Sequence, residues 1–194
     1  MVVIIDNGHG VNTAGKCSPD KRLLEYKWAR EVAQLLQEQL KAHGIEAVRI
    51  VTEDTDISLK ERCRRANALC NKYGTKNCVL ISLHLNAAGA DGKWHDATGW
   101  SGWVAPNASV SSKRLAQLLY AEAEAANLKG NRAVPACKYW VGNFAIVRDT
   151  KCPAVLTENL FQDNKGEAEY LLSQEGKAAI AKLHVKAILK YIGK

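Results

Sequence analysis

Two kinds of apolar pattern alternate along the chain. Val2-Val3-Ile4-Ile5 is a continuous β-branched block stopped by Asp6 and Gly8, the signature of a buried strand. From about Leu24 to His43 the residues Leu24, Trp28, Val32, Leu35, Leu36 and Leu40 keep helical spacing, and Gly44 supplies the stop. Ile45 to Val51 reads as a second strand. Ser58 and Glu61 make a capping-box pattern that opens a helix through Arg62, Ala66 and Leu69 to about Tyr73. Cys78 to Leu83 is a third buried strand, and the polar stretch Asn86 to Thr98, with Gly89, Gly92 and His95, is a loop. Gly99 to Val104 predicts another strand, stopped by Pro106, and Ser109 or Ser111 caps a helix to about Asn127. Phe144 to Val147 and Ala154 to Leu156 predict two short strands around a turn containing Pro153. A last helix covers roughly Lys165 to Tyr191, with a break near Gly176.

The resulting order, β-α-β-α-β-β-α-β-β-α, predicts an α/β fold: a largely parallel, twisted central sheet of about six strands flanked by helices. With no repeat, linker or low-complexity run, one domain spanning residues 1–194 is expected. Sheets of this class gather their sites at the carboxyl ends of the strands. His9, His84 and Glu158 each fall just past such an end, and Glu25 opens the first long helix, so the four should converge on one edge.

Composition narrows the picture only a little. The 47% apolar and 24% charged content is that of a soluble globular chain, without a run of about 18 apolar residues to span a membrane. Met1 leads straight into the first strand with no basic segment or cleavage site, so the chain is expected either to stay in the cytoplasm or to have been trimmed of an export signal. The net charge of +7 suits nucleic acid, an anionic cell wall, an acidic membrane surface, or simply solubility. The six cysteines are scattered without a C-x-x-C pair and read as small buried hydrophobes, Cys63 and Cys70 sharing one helix face.

Two imidazoles and a carboxylate suit a catalytic zinc site with one open position. His9, Glu25 and His84 could supply these three ligands. Glycines on both sides of His9 allow a sharp turn, and Asp6 is placed to accept the second imidazole proton as an outer partner. Glu158, at the end of Val155-Leu156-Thr157, is placed as a desolvated general base that takes a proton from water and passes it to a leaving amine. Taken singly, each residue also has an ordinary structural reading; Glu25, for example, suits a helix N-terminus. His43 suits a helix C-terminus, His184 lies inside the last helix, and His95 is a candidate substitute ligand or substrate contact.

The ordered run of these segments resembles the zinc-dependent N-acetylmuramoyl-L-alanine amidases of the amidase type 3 family over nearly the whole chain. Asp6-Asn7-Gly8-His9-Gly10 is similar to that family's Asp-Pro-Gly-His-Gly, and Glu25 to the metal-binding Glu that begins its first long helix. Asp56, Ser58-Leu59, Arg62 and Ala66-Asn67 follow its Asp, Ser-Leu, Arg and Ala-Asn pattern, and Ser82-Leu83-His84-Leu85-Asn86-Ala87 its Ser-Ile-His-x-Asn-Ala. Ile146-Val147-Arg148 leads into Pro153-Ala154-Val155-Leu156-Thr157-Glu158 as the family's Val-Leu-Arg leads into Pro-Ala-Val-Leu and the catalytic Glu; Phe161 and Asn164 match the Phe and Asn beyond it. Asn7 replaces the usual Pro, Glu53 stands where Arg is frequent, and Leu160 replaces the Gly after the catalytic Glu.

The resemblance implies one zinc ion on His9, Glu25 and His84, with Glu158 as catalytic acid/base. It implies peptidoglycan as partner and substrate, cut between the muramic lactyl group and L-alanine, by a monomeric catalytic domain that binds no nucleic acid and inserts in no membrane. The missing leader resembles phage lysins that wait in the cytoplasm for a holin; a trimmed autolysin is the competing account. A zinc carboxypeptidase-like peptide hydrolase and a non-catalytic wall-binding domain remain open. A phosphate-cradling loop is disfavoured, because Gly8-His9-Gly10 lacks the third glycine of G-x-G-x-x-G.

Overall fold

The computed structural model describes all 194 residues. Its strands are β1 (Val2–Asn7), β2 (Glu46–Arg49), β3 (Cys78–Asn86), β4 (Ser101–Val104), β5 (Trp140–Val141) and β6 (Ala154–Phe161). Its helices are α1 (Glu25–Ala42), α2 (Leu59–Tyr73), α3 (Val110–Ala125), α4 (Ala145–Arg148), α5 (Lys165–Leu172) and α6 (Gln174–Ile192). The strands form one six-stranded sheet in the order β2-β1-β3-β6-β4-β5, parallel except where β4 runs against β6. The expected α/β domain with a largely parallel sheet is what the chain forms.

Each face of the sheet has its own core, because alternate residues of a strand point to opposite sides. Val3, Ile5, Val79, Ile81, Leu83 and Val155 pack under α1, α3 and α6 in the larger cluster. Val2, Ile4, Leu80, Ala154 and Leu156 meet Cys63, Ala66 and Cys70 of α2 and Ile146 and Val147 of α4 in the smaller one. Burying one such aliphatic side chain contributes about 1.5–3 kcal/mol. Because α4 is a single turn, the second face is covered less completely, and an open cleft lies at the carboxyl end of its strands.

Three expectations are corrected. Phe144 to Val147 is not a strand: Ala145–Arg148 forms α4, and Ile146 and Val147 are buried against α2. A four-residue apolar run carries no usable period, so tertiary packing decides its form. The final helix breaks at Ser173 rather than Gly176; the Ser173 hydroxyl caps α6 by accepting the Gly176 N–H at 2.9 Å. Of the cysteines, Cys63, Cys70, Cys78 and Cys152 are buried free thiols, whereas Cys17 is half-buried and Cys137 exposed. The predicted Ser58 and Ser109 caps are present, accepting from Glu61 N and Ser112 N. The Glu61 carboxylate does not complete the capping box; it binds Arg64 and Arg65 instead.

Candidate metal centre

His9, Glu25 and His84 arrive at the sheet edge from three elements. β1 ends at Asn7, and His9 follows in a left-handed backbone conformation, φ 58°. Two close approaches explain its flanking glycines. A Cβ on Gly8 would sit 2.2 Å from the His84 ring, and one on Gly10 would sit 2.0 Å from the Asp56 backbone nitrogen. Such a turn at a non-glycine residue costs about 1 kcal/mol or more, so it needs external support. Two guanidiniums provide it: Arg62 and Arg30 donate to the His9 carbonyl at 3.1 and 3.2 Å.

Glu25 is fully buried at the first position of α1, its N–H donating to the Lys16 carbonyl at 3.0 Å. Its Oε1 lies 3.3 Å from His9 Nε2 and 3.1 Å from His84 Nδ1, and accepts the Leu85 N–H at 3.0 Å. The imidazoles are edge-on to each other, with centroids 4.9 Å apart. One ligand atom from each of the three residues lies within 4.8 Å of the others. Burial acts to raise the Glu25 carboxyl, but hydrogen bonds from His84 and His9, and the field of those rings, hold it far below the usual carboxylate range. For His84, burial opposes protonation, yet the hydrogen bond and charge of Glu25 and the fields of Glu158 and Asp6 raise its pKa. The cluster is built around positive charge.

Glu158 stands next to His84 in register on β6. Neither lies past its strand as expected: β3 runs on to Asn86 and β6 to Phe161, because the two strands keep pairing beyond the apolar runs. The residue is half-buried, but its Oε2 is sealed and has no hydrogen-bond partner. Burial, with the neighbouring Glu25 charge adding to it, pushes the carboxyl up to about 7 against the fields of His84, Lys16 and Arg132. A carboxyl poised there exchanges protons near neutrality. It faces a cleft of about 750 Å³ that is also lined by His9, Lys16, His84, Phe144 and Arg148.

Asp6 does something other than expected. Its two oxygens bind Arg62 Nη1 at 2.7 Å and Ser82 Oγ at 2.6 Å, so it does not take the His9 proton. Asp6 points to the α2 side of the sheet, where Arg62 enters from α2 and reaches the Asn7 and His9 carbonyls. The aspartate thus orients the loop through the arginine. His95 is apart from the cluster, paired with Asp91 at 2.9 Å. Nothing local in the sequence gives Arg30 or Arg62 a role; Arg62 lies inside a matched pattern, but pattern alone names no partner.

Three residues able to offer a ligand atom each to a metal ion, beside a carboxyl with one sealed oxygen at an α/β sheet edge, have the donor set and the acid/base group of a hydrolase site. The chain belongs to the N-acetylmuramoyl-L-alanine amidase family, whose profile matches residues 3–190. Its fold is similar to that of the N-acetylmuramoyl-L-alanine amidase from Clostridium difficile 630, with a TM-score of 0.83 and 30% identity over 100% of this chain and 97% of that one. It is similar also to the catalytic domain of CwlV from Bacillus (Paenibacillus) polymyxa var. colistinus, with a TM-score of 0.80 and 25% identity over 99% and 98%. In sequence, the endolysin of Bacillus phage SPP1 is 28% identical over 98% of this chain and 66% of its own length. The amidase CwlM of Bacillus licheniformis is 26% identical over 97% and 67%. The chain therefore spans about two thirds of the length of these curated relatives.

Proposed function

We propose that residues 1–194 form a catalytic domain that hydrolyses the amide between N-acetylmuramic acid and L-alanine in peptidoglycan, using one zinc ion on His9, Glu25 and His84 and Glu158 as acid/base. The observation that carries this reading is the pairing of a three-donor cluster with an unpartnered carboxyl one strand away. The donors fit zinc. Two imidazole nitrogens and one carboxylate oxygen are a catalytic zinc set, and one such atom from each of the three residues lies within 4.8 Å of the others. The sealed Glu25 Oε2, which has no protein partner, is a second sign that the carboxylate is shaped for a cation.

Zinc bound there would supply Lewis-acid polarisation of the scissile carbonyl and make water more acidic. The chain's own residues do the rest. Glu25, held by the Leu85 N–H, fixes both imidazoles. Arg62 and Arg30 hold the His9 turn. Glu158 takes a proton from the attacking water and returns it to the departing L-alanine nitrogen, so its carboxyl is regenerated in each turnover. A positive charge at the triad would lower the Glu158 pKa from about 7, favouring the basic form at the start of the cycle.

The test is lysis of purified sacculi, with product analysis. The reading predicts new L-alanine amines with intact glycan strands, activity lost to EDTA and regained with zinc. Lysis that survives EDTA, or products cut in the glycan, would refute it. A domain of this kind would act at the bacterial wall, as the names of the endolysin and amidase relatives suggest.

A further inference from the structure

Arg132 lies one strand beyond Glu158 as seen from the triad, and it has no acidic partner. His84 on β3, Glu158 on β6 and Ser101 on β4 stand in register across the sheet. Neighbouring strands are about 4.8 Å apart, so the row spans roughly 10 Å from His84 to Ser101. Arg132, from the segment between α3 and β5, closes the row by donating from Nη1 to Ser101 Oγ at 2.9 Å. Its guanidinium sits 4.8 Å from the Trp140 ring centroid and 5.8 Å from that of Phe161.

The two guanidiniums that line the cleft itself are already engaged. Arg62 is paired with Asp6 and Asp56, and Arg148 with Asp149. Arg132 is half-buried, and Ser101 Oγ is its one hydrogen-bond partner. Burial pulls its pKa down, while the Glu158 carboxylate works the other way. A ring-stacked guanidinium with free donors is a preorganised fork for a carboxylate.

We propose that Arg132 binds a carboxylate on the second residue of the stem peptide, a subsite that rests on the peptidoglycan reading above and adds a chemical preference to it. The reach decides which residue. An extended chain advances about 3.5 Å per residue, so a group on the first residue past the scissile amide falls short of Arg132. A carboxylate on the second, about 7 Å along plus its own bonds, arrives there.

Two soluble muropeptides that differ only at the second stem residue, free α-carboxylate against carboxamide, test this with the zinc-loaded enzyme. The carboxylate peptide should be preferred in kcat/KM by about 10-fold or more, the yield of a charge-assisted pair. Arg132→Gln should bring the ratio towards one, chiefly through KM on the carboxylate peptide. Arg132→Lys, which keeps charge but not the fork, should fall between and serves if the glutamine variant does not fold, with bound zinc per chain reporting on the fold. Equal use of both peptides by the unsubstituted enzyme, or a preference that persists in folded Arg132→Gln or is undiminished in folded Arg132→Lys, overturns the subsite alone. Cleavage of neither peptide overturns the peptidoglycan reading and the subsite with it.

Discussion

Thr157 and Glu158 are neighbours on β6 and point to opposite faces of the sheet, and their polar atoms are treated in opposite ways. Behind the sheet, the Thr157 hydroxyl meets His184 Nε2 at 3.2 Å, and His184 Nδ1 donates to the Ile180 carbonyl at 2.8 Å. Asn159 donates to Thr157 Oγ1 and the His84 carbonyl, and accepts the Trp100 indole N–H. That network is closed. In front, Glu25 and Glu158 each keep a sealed oxygen without a partner. Buried polar groups are normally satisfied. Asn7, Trp28, Tyr120, Gln162 and Asp163 also hold unpartnered buried atoms, but the Glu25 and Glu158 oxygens belong to carboxylates that stand beside the His9–His84 pair. The contrast separates His184, which is tied into the fold, from His9 and His84, which share one carboxylate oxygen of Glu25 at the cleft.

The largest effect that should expose this contrast is on turnover. Glu158→Gln keeps shape and removes the exchangeable proton, and hydrolysis should fall about 10²- to 10⁴-fold, the usual contribution of a general acid/base. A fall below 10-fold in an assay of muropeptide cleavage would make the orphaned oxygen a structural accident.

The next effect is on stability. Arg62→Ala leaves Asp6, 1% exposed, as an uncompensated buried charge, and unfolding in urea should show a loss of about 3–5 kcal/mol. Adding Asp6→Asn should recover part of it, since the two residues are coupled. Strict additivity would mean that the pair does not hold the His9 loop as described.

A smaller effect, on pH dependence, isolates the closed network. Burial lowers the His184 pKa from 6.5 to about 4. Below 6.5 the unfolded chain takes up a proton that the folded chain refuses, so stability falls as pH drops from about 6.5 to about 4. The shift corresponds to about 3 kcal/mol. Glu158 has the opposite sign: its folded value lies above 4.5, so its contribution weakens as pH rises towards 7. Comparing urea unfolding of the metal-free protein with that of His184→Gln cancels the Glu158 contribution. The variant should be flatter between pH 6.5 and 4; equal slopes would deny that His184 is buried neutral.

What the sequence revealed, and what it did not, follows the same division. The strands β1 and β3 were legible because they are buried on both faces and start as unbroken apolar runs. Only Ala154 to Leu156 of β6 was, because Thr157-Glu158-Asn159 interrupts its apolar run. The convergence of His9, Glu25, His84 and Glu158 was legible because parallel sheets collect strand ends on one edge. The support around them was not. Arg30 and Arg62 reach the His9 carbonyl across 21 and 53 residues, a contact that no local period encodes. The two-residue β5, with Trp140 under Arg132, is too short to show an alternation. Leu160 illustrates both sides: it replaces a glycine of the resembled pattern, and its backbone is indeed left-handed, φ 70°. Its side chain is buried in the larger core, which offsets the strain.

The central claim divides labour between three residues that hold a zinc ion and one that moves a proton. Zinc per chain, measured on purified Glu158→Gln beside His84→Ala, tests that division most directly. The account predicts about one zinc in the first variant and essentially none in the second, with hydrolysis lost in both. Zinc retained by His84→Ala, or lost from a folded Glu158→Gln, would contradict it.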